Sequence, residues 1–355
     1  MKNVIFLGAG ASKADGAPMQ NELFPKFFEM YRQDEDGLKG NQYCQEVVKY
    51  FLQVFGYDVA LGPFEDIPIP TFEEAMGMID ISAINDVDFD RGKANKYHNH
   101  FTEDWNNSIR RSLLYVIAST IDKALRRYAN RNNQLVENLF AREYIENSFI
   151  TTNYDIIIDK ALMRAGRGPV YGFEHLQGNS RDAYGASLFK LHGSFNWLRC
   201  PVCNEIDVDK NEKSIMRLFD HSGFANSECP HCRSGRKPVI IPPTFFKDYS
   251  SVFIQTIWRI AEKALQDADN IVFCGYSFPD ADIHIKHLLK KSELRNRNHP
   301  RIFIINNYPG KEEKEPEMIK AEKERYLRFF SDKYSINYTE YSFQEFANDP
   351  YMILT

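Results

Sequence analysis

The spacing of apolar residues changes several times along this chain, and each change marks an element. Val4-Ile5-Phe6-Leu7 is a short continuous apolar run ended by Gly8. Such a run suits a central parallel strand buried on both faces, over 3–7. Gly16-Ala17-Pro18 breaks the chain before an amphipathic stretch over 21–31. Residues 32–100 are the least regular part. Helices are expected there near 43–55 and 71–84, separated by the loop 62–70, and Thr71 with Glu74 resembles a capping box. Over 104–131, Ile109, Leu113, Val116, Ile117, Ile121 and Leu125 keep a helical period, which predicts one long helix. A second helix is expected over 133–145.

Beyond that point short apolar runs alternate with helical patterns. Strands are expected at 149–152, 187–191, 238–241, 270–274 and 301–306, and helices at 156–165, 250–268, 280–294 and 316–331. Alternation of this kind predicts an α/β fold built on a doubly wound parallel sheet. The run 311–315 mixes charge signs and reads as a solvated lead-in to a helix. No internal repeat is visible.

Composition narrows the class. With 355 residues, 43% hydrophobic and 14% aromatic, the chain has ample material for a core and is not disordered. A net charge of −5 gives no reason to expect nucleic-acid binding. No apolar run is long enough for a bilayer, and the first residues enter a strand with no cleavable signal before it. The expectation is a cytosolic protein without a membrane partner, in a compartment that disfavours structural disulfides.

Four of the six cysteines fall in two hooks, Cys200-Pro201-Val202-Cys203 and Cys229-Pro230-His231-Cys232. The 204–228 spacer is near the zinc-ribbon range, so the four thiolates read as a closed, structural Zn²⁺ site. The alternative is a pair of plain hairpins without metal. His231 lies inside a hook but is not needed as a ligand. Cys44 and Cys274 read as ordinary part-buried thiols. Asp282, His284 and His287 sit at a helix start and read as helix-surface residues, because the cysteine set is the better metal site.

Three polar motifs follow strand ends. In Gly8-Ala9-Gly10-Ala11-Ser12, Gly8 and Gly10 let backbone amides approach a pyrophosphate, and Ser12 offers a hydroxyl to a phosphate oxygen. Lys13 stands where a third glycine belongs, and a tight turn needing small residues is the competing explanation. In Thr152-Asn153-Tyr154-Asp155, Asn153 can position a water or a ribose hydroxyl, and Asp155 can accept from an amide. Both are equally readable as turn and N-cap residues. In Leu191-His192-Gly193-Ser194, His192 can act as a general base near neutral pH, or be structural. Its place after a strand mirrors that of Asn153, which would bring both to one crevice.

In order and spacing this set resembles the sirtuin superfamily across nearly the whole chain. The carriers are Gly8-Ala9-Gly10-Ala11-Ser12 with Gly16 and Pro18, Thr152-Asn153-Tyr154-Asp155, Leu191-His192-Gly193, the two hooks, Gly275-Tyr276-Ser277 and Ile304-Ile305-Asn306. The resemblance implies a Rossmann-like NAD-binding domain (1–31, 132–199 and 238–355), a helical insertion (32–131) and a zinc-binding module (200–237). It implies that Gly8, Ala9, Gly10 and Ser12 embrace the pyrophosphate and ribose, and that Asn153 and His192 are the catalytic pair. Asp155 would hold the nicotinamide carboxamide, and Gly275, Ser277 and Asn306 would sit by the adenosine half.

Departures from the family pattern sharpen the expectation. Deacylases of the family follow the glycine loop with Pro-Asp-Phe-Arg, whereas Pro18 here leads into Met19-Gln20-Asn21. They carry Gln before the motif asparagine, where Thr152 stands. They carry Phe-Gly-Glu after the zinc module, where this chain reads Ile241-Pro242-Pro243-Thr244-Phe245, and proline cannot donate to an added strand. The helical insertion also departs from compact deacylases. It looks like the sirtuin-like domains of bacterial anti-phage systems, which share Thr-Asn-Tyr-Asp and Gly-Tyr-Ser and hydrolyse NAD. The expected function is therefore an NAD glycohydrolase acting in anti-phage defence. The rivals are a protein deacylase and a non-catalytic nucleotide-sensing module; a dehydrogenase is weaker, since no hydride-acceptor site is legible. Because unchecked NAD loss harms the host, gating is expected, through a homo-oligomer built on 32–131 or through a partner such as a HerA-like translocase ATPase.

Overall fold

The computed structural model describes residues 1–62, 68–84, 101–125, 130–177, 185–209, 228–241, 251–296, 298–308, 316–330 and 334–354. The strands are β1 (Lys2–Leu7), β2 (Glu146–Thr151), β3 (Pro169–Val170), β4 (Ala186–Lys190), β5 (Gly193–Arg199), β6 (Ile206–Val208), β7 (Lys237–Ile240), β8 (Asn270–Cys274), β9 (Arg301–Ile305) and β10 (Ile336–Tyr338). Seven form one sheet in the order β10-β9-β8-β1-β2-β4-β3, and every pairing in it is parallel. From β1 the chain winds outward through β8, β9 and β10 on one side, and on the other it places β2, then the edge strand β3, then β4 between them, a parallel sheet as the alternating pattern predicts.

The helices are α1 (Ala9–Lys13), α2 (Gln20–Arg32), α3 (Gln42–Tyr50), α4 (Phe72–Ile84), α5 (Phe101–Ala124), α6 (Arg131–Phe140), α7 (Ile157–Arg164), α8 (Val252–Gln266), α9 (Ile283–Arg295), α10 (Pro316–Leu327) and α11 (Phe343–Asn348). Among the described residues no helix is long and apolar enough to cross a membrane. The sheet and its covering helices share one core, in which Ile5, Phe6, Phe149, Ile150, Val272, Phe273 and Ile304 are almost fully buried. A second core lies in the helical body, where α2 to α5 bury Phe24, Phe27, Phe28, Tyr50, Phe51, Met76 and Leu113.

Register is fixed by polar residues near the strand starts. Asn3 pairs with Asn147 on one side and Asn270 on the other. Their amides form a ladder: Asn3 Nδ2 donates to Asn147 Oδ1 at 2.9 Å, and Asn270 Nδ2 donates to Asn3 Oδ1 at 2.8 Å. Arg301 Nε extends it to β9, reaching Asn270 Oδ1 at 2.9 Å. A one-residue slip would strand these buried amides as well as flip the apolar faces.

Several expected elements are displaced. The long helix runs from Phe101 to Ala124 rather than over 104–131, and α6 ends at Phe140 rather than at 145. The stretch 43–55 divides into α3 and a π-turn, Phe51–Phe55, closed by Gly56 at φ 74°. The strand expected at 238–241 does not join the parallel sheet. As β7 it pairs antiparallel with β5, in a three-stranded sheet of order β6-β5-β7. Gly193 causes this: its φ of 85° turns the chain out of β4, and a Cβ there would lie 2.0 Å from Val239 O. The charged run 311–315 lies outside the described residues.

Candidate active site and zinc module

The parallel sheet ends in one registered row. Leu7 pairs with Thr151 and Cys274, Thr151 with Lys190, and Cys274 with Ile305. Each polar motif leaves the sheet directly beyond this row: Gly8, Thr152, Leu191, Gly275 and Asn306. Strand carboxyl ends beside a topological switch are where open α/β sheets bind ligands. Asn153 and His192 each stand two residues past the paired Thr151 and Lys190, on strands about 4.8 Å apart.

A chain of hydrogen bonds joins the first two motifs. Asn153 Nδ2 donates to Gly8 O at 2.8 Å and to Ser12 Oγ at 2.9 Å. Ser12 Oγ donates to Asp155 Oδ2 at 2.7 Å, and Asp155 Oδ1 accepts from Ile157 N at 3.1 Å. Asp155 therefore closes a side-chain turn onto the first residue of α7 while binding Ser12, and the Ser12 hydroxyl expected to face a phosphate is engaged by a carboxylate. Burial raises the pKa of the Asp155 carboxyl, against the opposing pull of the Lys190 ammonium and the Ser12 hydroxyl. These residues line a small cavity of about 10 Å³, together with Thr151 and Asn132, room for about one water.

The glycines act largely on one another. Gly10 N donates to Gly275 O at 2.9 Å. A Cβ on Gly8 would meet Gly275 O at 2.5 Å, and one on Gly275 would meet Ala11 N at 2.4 Å. Gly275 also has φ 62°. The loop after β1 and the loop after β8 thus meet backbone to backbone, so close packing is one physical requirement for these glycines. Asp15 holds the far end of the loop: it accepts from Asn132 N at 3.1 Å and Asn132 Nδ2 at 2.7 Å, and Asn132 Nδ2 also reaches Ala11 O at 3.2 Å.

His192 is 3% exposed, with its ring centroid 6.4 Å from that of Tyr154. Tyr154 OH donates to Ile241 O at 2.7 Å, and Ile241 N donates to His192 O at 2.9 Å. At the β8 and β9 ends, Ser277 is exposed, and its carbonyl accepts from Arg325 Nη2 at 2.8 Å. Asn306 is buried, and its amide donates to Tyr276 O at 3.0 Å and to Glu322. Pro242, Pro243, Thr244 and Phe245 lie outside the described residues.

Sequence reasoning missed a buried charged group beneath the two motifs. Lys190 and Asp159 are both fully buried, with Nζ 2.9 Å from Asp159 Oδ2. A lysine inside Leu188-Phe189-Lys190-Leu191 was the signal, since lysine is almost never fully buried unpaired. Asp282, expected on a helix surface, is buried and accepts from Tyr276 OH at 2.8 Å, whereas His284 and His287 are exposed. Cys44 and Cys274, expected part-buried, are wholly buried, and burial pushes the Cys44 thiol up to about 12.

Cys200, Cys203, Cys229 and Cys232 converge, with all four sulfurs within 4.8 Å of one another. The Cys200–Cys232 and Cys203–Cys229 edges are 3.3 and 3.4 Å. A tetrahedron of 2.3 Å Zn–S bonds has edges of about 3.8 Å, so the donor set fits zinc. Both hooks have the same backbone geometry. Asn204 N donates to Cys200 O and Cys200 N to Glu205 O, just as Arg233 N donates to Cys229 O and Cys229 N to Ser234 O. The fifth residue of each, Asn204 at φ 60° and Arg233 at φ 59°, is left-handed. Four sulfurs leave no coordination position open, so bound zinc would supply folding energy rather than chemistry.

A family model described as SIR2-like domain matches residues 147–330. Among solved structures, one described as the structural basis for the mechanism and regulation of Sir2 enzymes is 17% identical, with 93% of this chain and 94% of that chain covered at a TM-score of 0.37. A Sir2 homologue variant in complex with ADP-ribose is 15% identical, with 93% and 95% covered at a TM-score of 0.39. A Sir2 complex with an inhibitor, 2′-O-acetyl-ADP-ribose and a deacetylated peptide is 14% identical, with 98% and 90% covered at a TM-score of 0.37. No curated protein gives a significant match. The family match runs from β2 through the zinc module to α10, so the chain belongs to the sirtuin superfamily as a member of its SIR2-like domain family.

Proposed function

We propose that this protein is an NAD glycohydrolase, which converts NAD⁺ and water into nicotinamide, ADP-ribose and a proton. The observation that carries this reading is the common row of the sheet, beyond which the segments bearing Asn153 and His192 leave the neighbouring strands β2 and β4. Cleavage of the C1′–nicotinamide bond passes through an oxocarbenium-like state, as in glycoside chemistry. Asn153, held through its amide by Gly8 and Ser12, turns its carbonyl oxygen to the ribose or to the attacking water. His192 accepts the proton of that water. Asp155 takes the nicotinamide carboxamide. Gly8, Ala9 and Gly10 lie along the pyrophosphate, and Gly275, Ser277 and Asn306 beside the adenosine half.

Hydrolysis is favoured over deacylation by Ile241. Its N–H and its carbonyl are both engaged inside the chain, by His192 O and Tyr154 OH. An extended acyl-lysine peptide has no unsatisfied backbone group to pair with at that residue, and Pro242 and Pro243 carry no N–H.

The domain division given above is part of this proposal, although the packing of α2 with α3 to α5 favours an earlier start of the helical body. So are a role as an NAD-depleting effector of anti-phage defence in the cytoplasm, and gating by a homo-oligomer or a HerA-like ATPase. The test is chromatography of purified protein with NAD, with and without an acyl-lysine peptide. Nicotinamide and unmodified ADP-ribose without peptide support the reading; acyl-ADP-ribose formed only with peptide replaces it by a deacylase. His192→Ala and Asn153→Ala should each lose about 10²–10⁴ in rate while keeping their zinc content and unfolding transition. Wild-type turnover in either variant contradicts its role.

A further inference from the structure

The segment that carries Asn153 is held on one side by Gly8 and Ser12 and on the other by the segment that carries His192. Tyr154 O accepts from Phe195 N at 2.9 Å. Asp155 O accepts from the Lys190 ammonium, which also contacts Asp159 Oδ2 at 2.9 Å. Asp155 and Asp159 are one helical turn apart at the start of α7, and Lys190 and His192 are two residues apart at the end of β4. One ammonium therefore fixes the end of the Thr152–Asp155 loop against the strand that presents His192. Asp159 is itself oriented: Tyr171 OH donates to its Oδ1 at 2.6 Å, Asn196 Nδ2 lies 3.4 Å from that hydroxyl, and Ser194 Oγ donates to Asn196 Oδ1 at 2.6 Å.

Stability alone does not account for this group. A buried ion pair is commonly replaced by packed apolar residues with no loss of stability, and an apolar residue between Phe189 and Leu191 would suit a buried strand. What the pair supplies is a fixed geometry between two loops that otherwise meet through Tyr154, whose ring lies near those of His192 and Phe195.

We infer that Lys190, oriented by Asp159 and Tyr171, is a positioning residue that sets Asn153 and Asp155 against His192. The inference rests on the proposed function for its catalytic consequence but not for its structural one. The test compares wild type, Lys190→Met/Asp159→Leu and Tyr171→Phe by thermal unfolding, by amide exchange over 151–157, and by nicotinamide release from NAD. The double variant removes both charges and should unfold within a few degrees of wild type. Its exchange over 151–157 should rise about tenfold or more while β1 and β8 stay protected. Its kcat should fall about 10²-fold, as a displacement of roughly 1 Å would cause, with KM within about threefold. Tyr171→Phe, which deletes one hydroxyl and keeps the fold whether or not the double variant does, should raise the same exchange about threefold and lower kcat in step. Wild-type exchange over 151–157 in Tyr171→Phe overturns the inference, as does loosening spread evenly over all strands. If wild type releases no nicotinamide, the proposed function fails, while the exchange comparison still decides whether Lys190 positions the loop.

Discussion

Asp155 shows how far one side chain can be read. A carboxylate two residues past an asparagine and before a helix admits both an N-cap and a ligand contact; in the structure Ile156 takes the N-cap position, and Asp155 instead accepts from Ile157 N in a side-chain turn. Its burial was not legible, because Lys190 and Ser12 come from distant segments of the chain. Since its folded pKa is raised above the unfolded value, the folded state holds the proton more readily. Stability from this group is then lost as pH rises from the ordinary carboxylate range through the raised value. Asp155→Asn should flatten that decline in urea unfolding measured from pH 4 to 8, with stability at pH 7 equal to wild type or higher. A steeper decline would contradict the assignment. Gly275→Ala should do the opposite: a Cβ 2.4 Å from Ala11 N, at φ 62°, should destabilise by about 2–4 kcal/mol. A change below about 0.5 kcal/mol would mean that the two loops do not meet as described.

At the scale of elements, alternation exposed β1, β2, β4, β8 and β9, because each is an apolar run bounded by turn residues. It did not expose β3, only two residues long, or β10, whose three residues are all half-buried. It also misassigned β7, since period alone does not tell a parallel partner from an antiparallel one; the deciding residue is Gly193, whose φ of 85° sends the chain into a second sheet. The convergence of the four cysteines was legible as spacing, because two short hooks with matching turns need only local geometry to present four sulfurs. Cys229→Ser should lower zinc by about one ion per chain in metal analysis and destabilise the 193–240 sheet. Retention of stoichiometric zinc would contradict a four-sulfur site.

For the molecule as a whole, five motifs scattered from Gly8 to Asn306 gather because five strands end in one registered row, held from below by the ladder of Asn3, Asn147 and Asn270. Their order was readable in the sequence; their convergence is a property of strand order, which periodicity does not encode. The helical body has its own aromatic core, and the segments on either side of it reach the candidate site. α2 follows the glycine loop, and Asn132, at the start of α6, binds Asp15 and Ala11 O. Any gating that enters through the helical body has this short path to the loop. The most direct measurement of the central claim is the product spectrum of the purified full chain incubated with NAD alone, set against Asn153→Ala and His192→Ala. The account predicts equimolar nicotinamide and ADP-ribose from wild type and at most about one hundredth of that rate from either variant. Equal product from all three proteins, or product only when an acylated peptide is added, would contradict it.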